Sequence, residues 1–387
     1  MPACTGRCYY LPDMKILIAP NSFKECADSV TIAELVAENL RKQTTDFNTN
    51  LDLVLKPLSD GGDGFLEVCN KLFDLKILTL EIPTPYKNEI IDCEFGYSSE
   101  RKTIFIESAK VLGLKLIPVE FRHPAELNSI GLGRLLLYLQ KQKQDKKLKI
   151  EKVVIGIGGT GTSDFGIGMM SQFNLELLDE NGESLEPLPV NYTKTKKIKW
   201  EKSRLDFAIE IISDVKIPLL GPNGTSRLFA PQKGATEDEV LILEQGLKNI
   251  LRLLDAEDKS YLNGAGGGLA GAFQYFFDAK NKFADEFINS GCGMTKKIKP
   301  DVVITGEGQF DYQSNLNKAV GVVLSEFAET NIPIFIICGK SLQKDEFKKN
   351  ITIIELESFF QSKAESILNY LKGITLAAEL ILKKISL

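Results

Sequence analysis

Short apolar runs alternate with amphipathic stretches along most of the chain, and that alternation predicts α/β architecture. "KILIAP" (15–20) reads as a strand, "SVTIAELVAENLRKQ" (29–43) repeats apolar residues at helical spacing, and "LDLVLKPL" (51–58) reads as the next strand. Together they predict one βαβ unit with a right-handed parallel crossover. Near the other end, "PDVVITGEG", "IPIFIICGK" and "NITIIELES" predict three further strands, with "NKAVGVVLSEFAET" as a helix between the first two. The two chain ends therefore read as parts of one parallel layer.

The middle has a different texture. "KILTLEIPTP", "EIIDCEFGYSS" and "KTIFIESAK" follow one another with short turns, which predicts mixed or antiparallel pairing. A helix ("SIGLGRLLLYLQKQ"), a strand–loop–helix ("KVVIGIGGTGTSDFGIGMM", 152–170) and a strand ("LDFAIEIISDV") come next. The expected architecture is a parallel-sheet, Rossmann-like α/β domain formed by residues 14–62 and 296–387, interrupted by an inserted mixed-sheet α/β domain over 63–295. Residues 1–13 read as a dispensable extension, because Met14 opens the first strand directly and the preceding segment has no apolar core of a secretory signal.

Composition narrows the chemistry. With 387 residues, 43% hydrophobic and 26% charged, the chain has the make-up of a soluble globular protein with room for more than one domain. A net charge of −5 leaves no global basic field, so nucleic acid is not expected as a partner. The lysine-rich runs at 140–152 and 194–204 are interleaved with acids and read as solvated helix ends or loops. No apolar run reaches the ~18 residues of a membrane span. Seven scattered cysteines without C-x-x-C fit reduced thiols in the cytoplasm, and a single histidine, His123, excludes His-based zinc sites and Ser-His-Asp triads. The chemistry falls to carboxylates, lysines, backbone amides or an oxygen-bound metal.

G-x-G-x-x-G occurs twice, at Gly156, Gly158 and Gly161 and at Gly266, Gly268 and Gly271. In the first loop it admits three readings. One is a dinucleotide site, with Asp179 at the distance of a ribose-binding acid. Another is a phosphate cradle in which Thr160, Thr162 or Ser163 donate and Asp164 holds Mg²⁺. The third is a strand-to-helix turn capped by Ser163 or Asp164. Acid-plus-glycine loops recur after other strands: Asp60 and Asp63 in "LSDGGDGF", Asp214 in "SDVKIPLLGPNG", and Glu307, Asp311, Gln313 and Lys318 in "VITGEGQFDYQSNLNK". Ligands of open α/β sheets gather at strand C-termini, so this recurrence predicts a cation and a bulky anion there. Lys24 in "NSFKE" and Lys233 in "FAPQKGAT" are the expected anion-neutralising lysines, and no Walker-type P-loop is present.

Taken in order, "IAPNSFKE", "LSDGGDGF", "IGIGGTGTSDFGIGM", "SDVKIPLLGPNG", "FAPQKGAT", "GAGGGLAG" and "VITGEGQFDYQSNLNK" resemble the bacterial glycerate kinase family, from Met14 to about residue 340. The resemblance implies a two-domain α/β molecule with the active site in the cleft. It also implies Mg²⁺-dependent transfer of the ATP γ-phosphoryl group to D-glycerate, with 2-phosphoglycerate favoured. The family usually has Asp where Asn21 stands, Ser-Ala-Thr at 160–162, Cys at Ser213, Gly at Asn317 and Asp at His123, so Gly161 is a local substitution and the dinucleotide reading weakens. On this reading Asp60, Asp164, Asp214 and Lys24 are the catalytic candidates, with Asp164 and Asp214 on the metal. Ser22, Gly61, Gly62, Gly158, Gly159, Thr160, Lys233, Gly264, Gly266, Gly267, Glu307, Asp311, Gln313 and Lys318 are the substrate- or nucleotide-binding candidates.

Overall fold

The computed structural model describes residues 13–23, 26–44, 50–202, 204–259, 261–291, 298–310, 319–327, 329–342 and 349–385. The strands in chain order are β1 (Met14–Pro20), β2 (Leu51–Leu55), β3 (Lys76–Pro83), β4 (Ile90–Ser98), β5 (Thr103–Glu107), β6 (Lys152–Gly156) and β7 (Glu176–Leu178). They continue with β8 (Ser184–Leu185), β9 (Lys197–Lys199), β10 (Ala208–Ser213), β11 (Lys280–Phe283), β12 (Val302–Phe310), β13 (Ile334–Ser341) and β14 (Ile351–Glu355).

The chain packs as two units. One takes the chain up to Ser59 and from Ala284 onward; the other is Asp60–Phe283. The sequence placed these edges at 62/63 and 295/296. The first edge lies three residues earlier because the Asp60–Gly64 loop packs against Gly156 and Gly158.

In the first unit the strand order is β14-β13-β12-β1-β2, with every pair parallel. Ile16 and Ile18 of β1 and Val302 and Ile304 of β12 are buried with Val36 and Leu40 of helix Ser29–Thr44 and Ala377 and Ile381 of helix Tyr370–Ile385. Crossovers leave β1 toward β2 and β12 toward β13, so the topological switch point lies between β1 and β12. Asn21, just past β1, donates its backbone N–H to Gly306 O at 2.8 Å across that point.

The second unit has the order β11-β10-β6-β5-β4-β3. Strands β3, β4 and β5 pair antiparallel, as their short connections predict, while β5, β6, β10 and β11 run parallel. β7, β8 and β9 form a small antiparallel sheet that the sequence pattern did not announce. Helix Leu269–Phe277 was also not foreseen: "LAGAFQYFF" is apolar on almost every side, so it has no amphipathic period to read. Helix Glu237–Leu253 starts on a capping box between Thr236 and Glu239. No described helix is long and apolar enough to cross a membrane.

Candidate active site

Because β5, β6 and β10 are parallel, Glu107, Gly156 and Ser213 end on the same edge of the second unit's sheet. Four of the predicted loops converge there. Gly158 N donates to Gly61 O at 2.9 Å, Gly268 stands over Phe165, and Gly264 N donates to Ile217 O at 2.8 Å. Gly61 sits at φ +90, and a Cβ there would lie 2.5 Å from Ile212 O, so only glycine lets this backbone approach the end of β10. The amides of Gly158 and Gly264, expected to face phosphate, are used instead to tie loops to the neighbouring backbone.

Asp60 is half-buried, and its Oδ1 accepts from Gly62 N at 3.3 Å. Asp214 is half-buried just beyond β10. Its loop is pinned by the buried Asn263, whose Nδ2 donates to Val215 O at 2.9 Å and whose Oδ1 accepts from Ile217 N at 3.3 Å. The Asp60 loop meets the end of β10, two residues before Asp214, where Gly61 touches Ile212. Thr160 is buried and pairs with Gly113. Ser22 and Glu307 belong to the first unit, at the switch-point end of its sheet, and both are half-buried. Lys24, Asp311, Gln313 and Lys318 lie outside the described residues.

Asp164 departs from its expected role. It is 1% exposed; its Oδ2 accepts from Ser129 Oγ (2.6 Å), Ser129 N (2.8 Å) and Gly168 N (3.1 Å), and its Oδ1 from Gly166 N (3.1 Å). Burial pushes its carboxyl above the usual range while the Ser129 hydroxyl and the three amides pull it down. A carboxylate surrounded by four protein donors does not fit a metal ligand. Lys233, too, is not an open cation: it is 4% exposed, and its Nζ donates to Thr162 O at 2.6 Å. Burial lowers its ammonium to about 8, and the Asp164 charge opposes that shift. Asp179 accepts from Asn181 N and Glu183 N at 2.9 Å each, which makes it the turn former between β7 and β8. The helix after the glycine loop runs only Ile167–Ser171. The dinucleotide reading fails on both counts.

Among the described residues no three Asp, Glu, Cys or His side chains gather as a metal site. That is compatible with Mg²⁺, which often takes one or two carboxylates and completes its shell with water and phosphate.

Sequence reading missed Glu107, Ser129, Tyr192 and Asn263. Glu107 is 4% exposed and accepts from Gly64 N at 3.2 Å and Leu66 N at 3.0 Å, fastening the Asp60–Gly64 loop to β5. Burial, with the Glu67 charge adding to it, raises its carboxyl to about 7. Between the ordinary carboxyl value and about 7 the folded protein holds a proton that the unfolded chain lacks, so this group's contribution to stability falls as pH rises through that window. Glu107→Gln removes the titration. Its melting temperature relative to the parent is expected to rise between pH 5 and 7.5, whatever constant offset the lost acceptor introduces. A difference flat in pH would refute this.

Parallel strands that end in glycine loops, carboxylates and a buried lysine define an α/β protein equipped to handle anionic ligands at its strand ends. The family described as "Glycerate kinase family" matches residues 16–382. The chain belongs to the glycerate kinase family. It is 32% identical over 335 residues to glycerate 2-kinase of Escherichia coli (strain K12), covering 84% of this chain and 85% of that protein. It is 29% identical over 372 residues to a glycerate kinase of Neisseria meningitidis serogroup B, covering 95% and 96%. The crystal structure of a protein assigned as glycerate kinase 2 from Salmonella typhimurium LT2 superimposes with a TM-score of 0.73 at 26% identity, over 96% of this chain and 98% of that one.

Proposed function

We propose that this protein is a cytoplasmic glycerate kinase that transfers the γ-phosphoryl group of ATP to a hydroxyl of D-glycerate with Mg²⁺, giving 2-phosphoglycerate. The family match over residues 16–382 carries this reading, because it takes in every acid-plus-glycine loop described above.

Phosphoryl transfer asks a protein chiefly to position two anions and to neutralise charge as it spreads over the moving group. Asp60 and Asp214 are half-buried, and Gly61 brings the first loop to the end of β10 just before Asp214, so they are the pair suited to that work. One of the two carboxylates would accept the proton of the attacking glycerate hydroxyl, and the other would hold Mg²⁺. The metal, when bound, supplies charge neutralisation at the phosphate oxygens. Backbone amides of Gly159, Gly266 and Gly267 would meet phosphate. In the first unit, Ser22 and Glu307, with Lys24, Asp311, Gln313 and Lys318, would contact nucleotide or substrate.

Phosphorus NMR of the protein incubated with Mg-ATP and D-glycerate tests the reading. A 2-phosphoglycerate signal growing as ATP falls is expected. A 3-phosphoglycerate signal would keep the kinase and correct the hydroxyl attacked, and intact ATP would overturn the proposal.

A further inference from the structure

Two of the charges that the sequence assigned to ligands, Asp164 and Lys233, are buried, and they hold the chain on either side of Ser163. Lys233 Nζ donates to Thr162 O at 2.6 Å and reaches Ser163 Oγ at 3.5 Å. Asp164 draws the following turn around its carboxylate through Gly166 N and Gly168 N. It also holds Ser129, the residue before helix Ile130–Gln144, by both N–H and hydroxyl. Ser129 Oγ in turn accepts from Met169 N at 2.8 Å, and Tyr192 Oη donates to Asp164 O at 2.8 Å. Opposite charges buried in one cluster offset part of each other's desolvation, whereas removing one leaves the other stranded.

We propose that Asp164 and Lys233 are a charge-compensated pair of positioning residues that clamp 162–164 and thereby hold the preceding glycine loop, 156–161, in the geometry that the transfer step, rather than ground-state binding, requires. Neither touches metal, nucleotide or glycerate. Asp164 organises the chain downstream of the clamp and Lys233 fixes the carbonyl upstream of it. The Asp164 charge also favours the ammonium form of Lys233, which burial disfavours. The consequence for turnover rests on the kinase reading above; the consequence for stability does not.

The test compares the parent with Asp164→Asn, Lys233→Met and the double variant. In melts without ligand, each single variant is expected to lose roughly 5–15 °C, because a buried charge is left without its partner. The double variant is expected to lose clearly less than the sum of the singles. Additive losses would overturn the pairing.

In turnover assays, Asp164→Asn is expected to lower kcat tenfold or more while the KM values for ATP and D-glycerate and the Mg²⁺ needed for half-maximal rate stay within twofold. A Mg²⁺ requirement raised tenfold would make Asp164 a metal ligand after all. A raised KM with kcat intact in Lys233→Met would make Lys233 a ligand contact. Either result overturns the proposal. Should Asp164→Asn not accumulate as folded protein, Ser129→Ala replaces it: a severalfold fall in kcat at unchanged KM and Mg²⁺ requirement supports the clamp, and parental melting and kcat refute it. A parent that turns over no ATP would remove the kinase reading, while the melts would still judge the clamp.

Discussion

Asp214→Asn is expected to lower kcat by at least about a hundredfold, the scale on which a positioned acid–base group contributes. The loop after β10 is also held by Asn263, whose Nδ2 donates to Val215 O at 2.9 Å and whose Oδ1 accepts from Ile217 N at 3.3 Å. An isosteric amide should therefore leave the fold intact and remove only the charge. Asp60→Asn is the companion experiment. Its amide oxygen can still accept from Gly62 N, as Asp60 Oδ1 does at 3.3 Å, so the turn is kept and the negative charge is lost. Steady-state kinetics on both variants check the expectation. A raised KM with unchanged kcat would mean that the aspartates only bind, and activity within a few-fold of the parent in both would remove them from the chemistry.

Gly267→Ala is expected to be strongly damaging. Gly267 adopts φ +72, and a Cβ there would stand 2.1 Å from Thr162 O and 2.8 Å from Ser163 Cα. Both neighbours are backbone atoms, so no rotamer change relieves the clash. The left-handed conformation and the overpacking together are expected to cost about 3 kcal/mol or more. Thr162 O is also the acceptor of Lys233, so moving it disturbs the clamp and with it the loop. Thermal melts and turnover of the variant should both fall. Gly182→Ala separates strain from clash: it has φ +82 with nothing within 4 Å of its Cβ, and its expected loss is only about 1 kcal/mol. Equal losses in the two variants would show that backbone conformation alone, and not the contact with Thr162, sets the cost.

The apolar runs at residues 15–20, 51–58 and 301–355 announced a parallel layer from both chain ends, and those strands pair in parallel. The short connections at 76–110 announced antiparallel pairing, which is found. Their legibility has a local cause. A strand buried on both faces needs consecutive apolar side chains, and antiparallel neighbours need only a short turn, so both leave marks within a few residues.

The glycine loops were legible for the same reason. Gly61 and Gly267 stand where backbone meets backbone, and no other residue type fits there. What the sequence determined by itself is therefore the α/β class, the family, and the glycine loops at the strand ends where the chemistry is proposed.

The roles of the charges within those loops were decided only by the tertiary structure. "TSD" after a glycine run is compatible with a metal ligand, a phosphate cradle or a helix cap. The outcome depends on Ser129, which lies 35 positions upstream of Asp164 and brings two donors to its carboxylate. Lys233 looks like a solvated loop lysine until Thr162, 71 positions away, is seen to receive its ammonium. Glu107 ends an ordinary strand run, and only the packed Gly64 and Leu66 amides make it the fastening of a loop. Burial and partnership determine whether a charge is available to a ligand or spent within the protein, and both are set by residues distant in sequence.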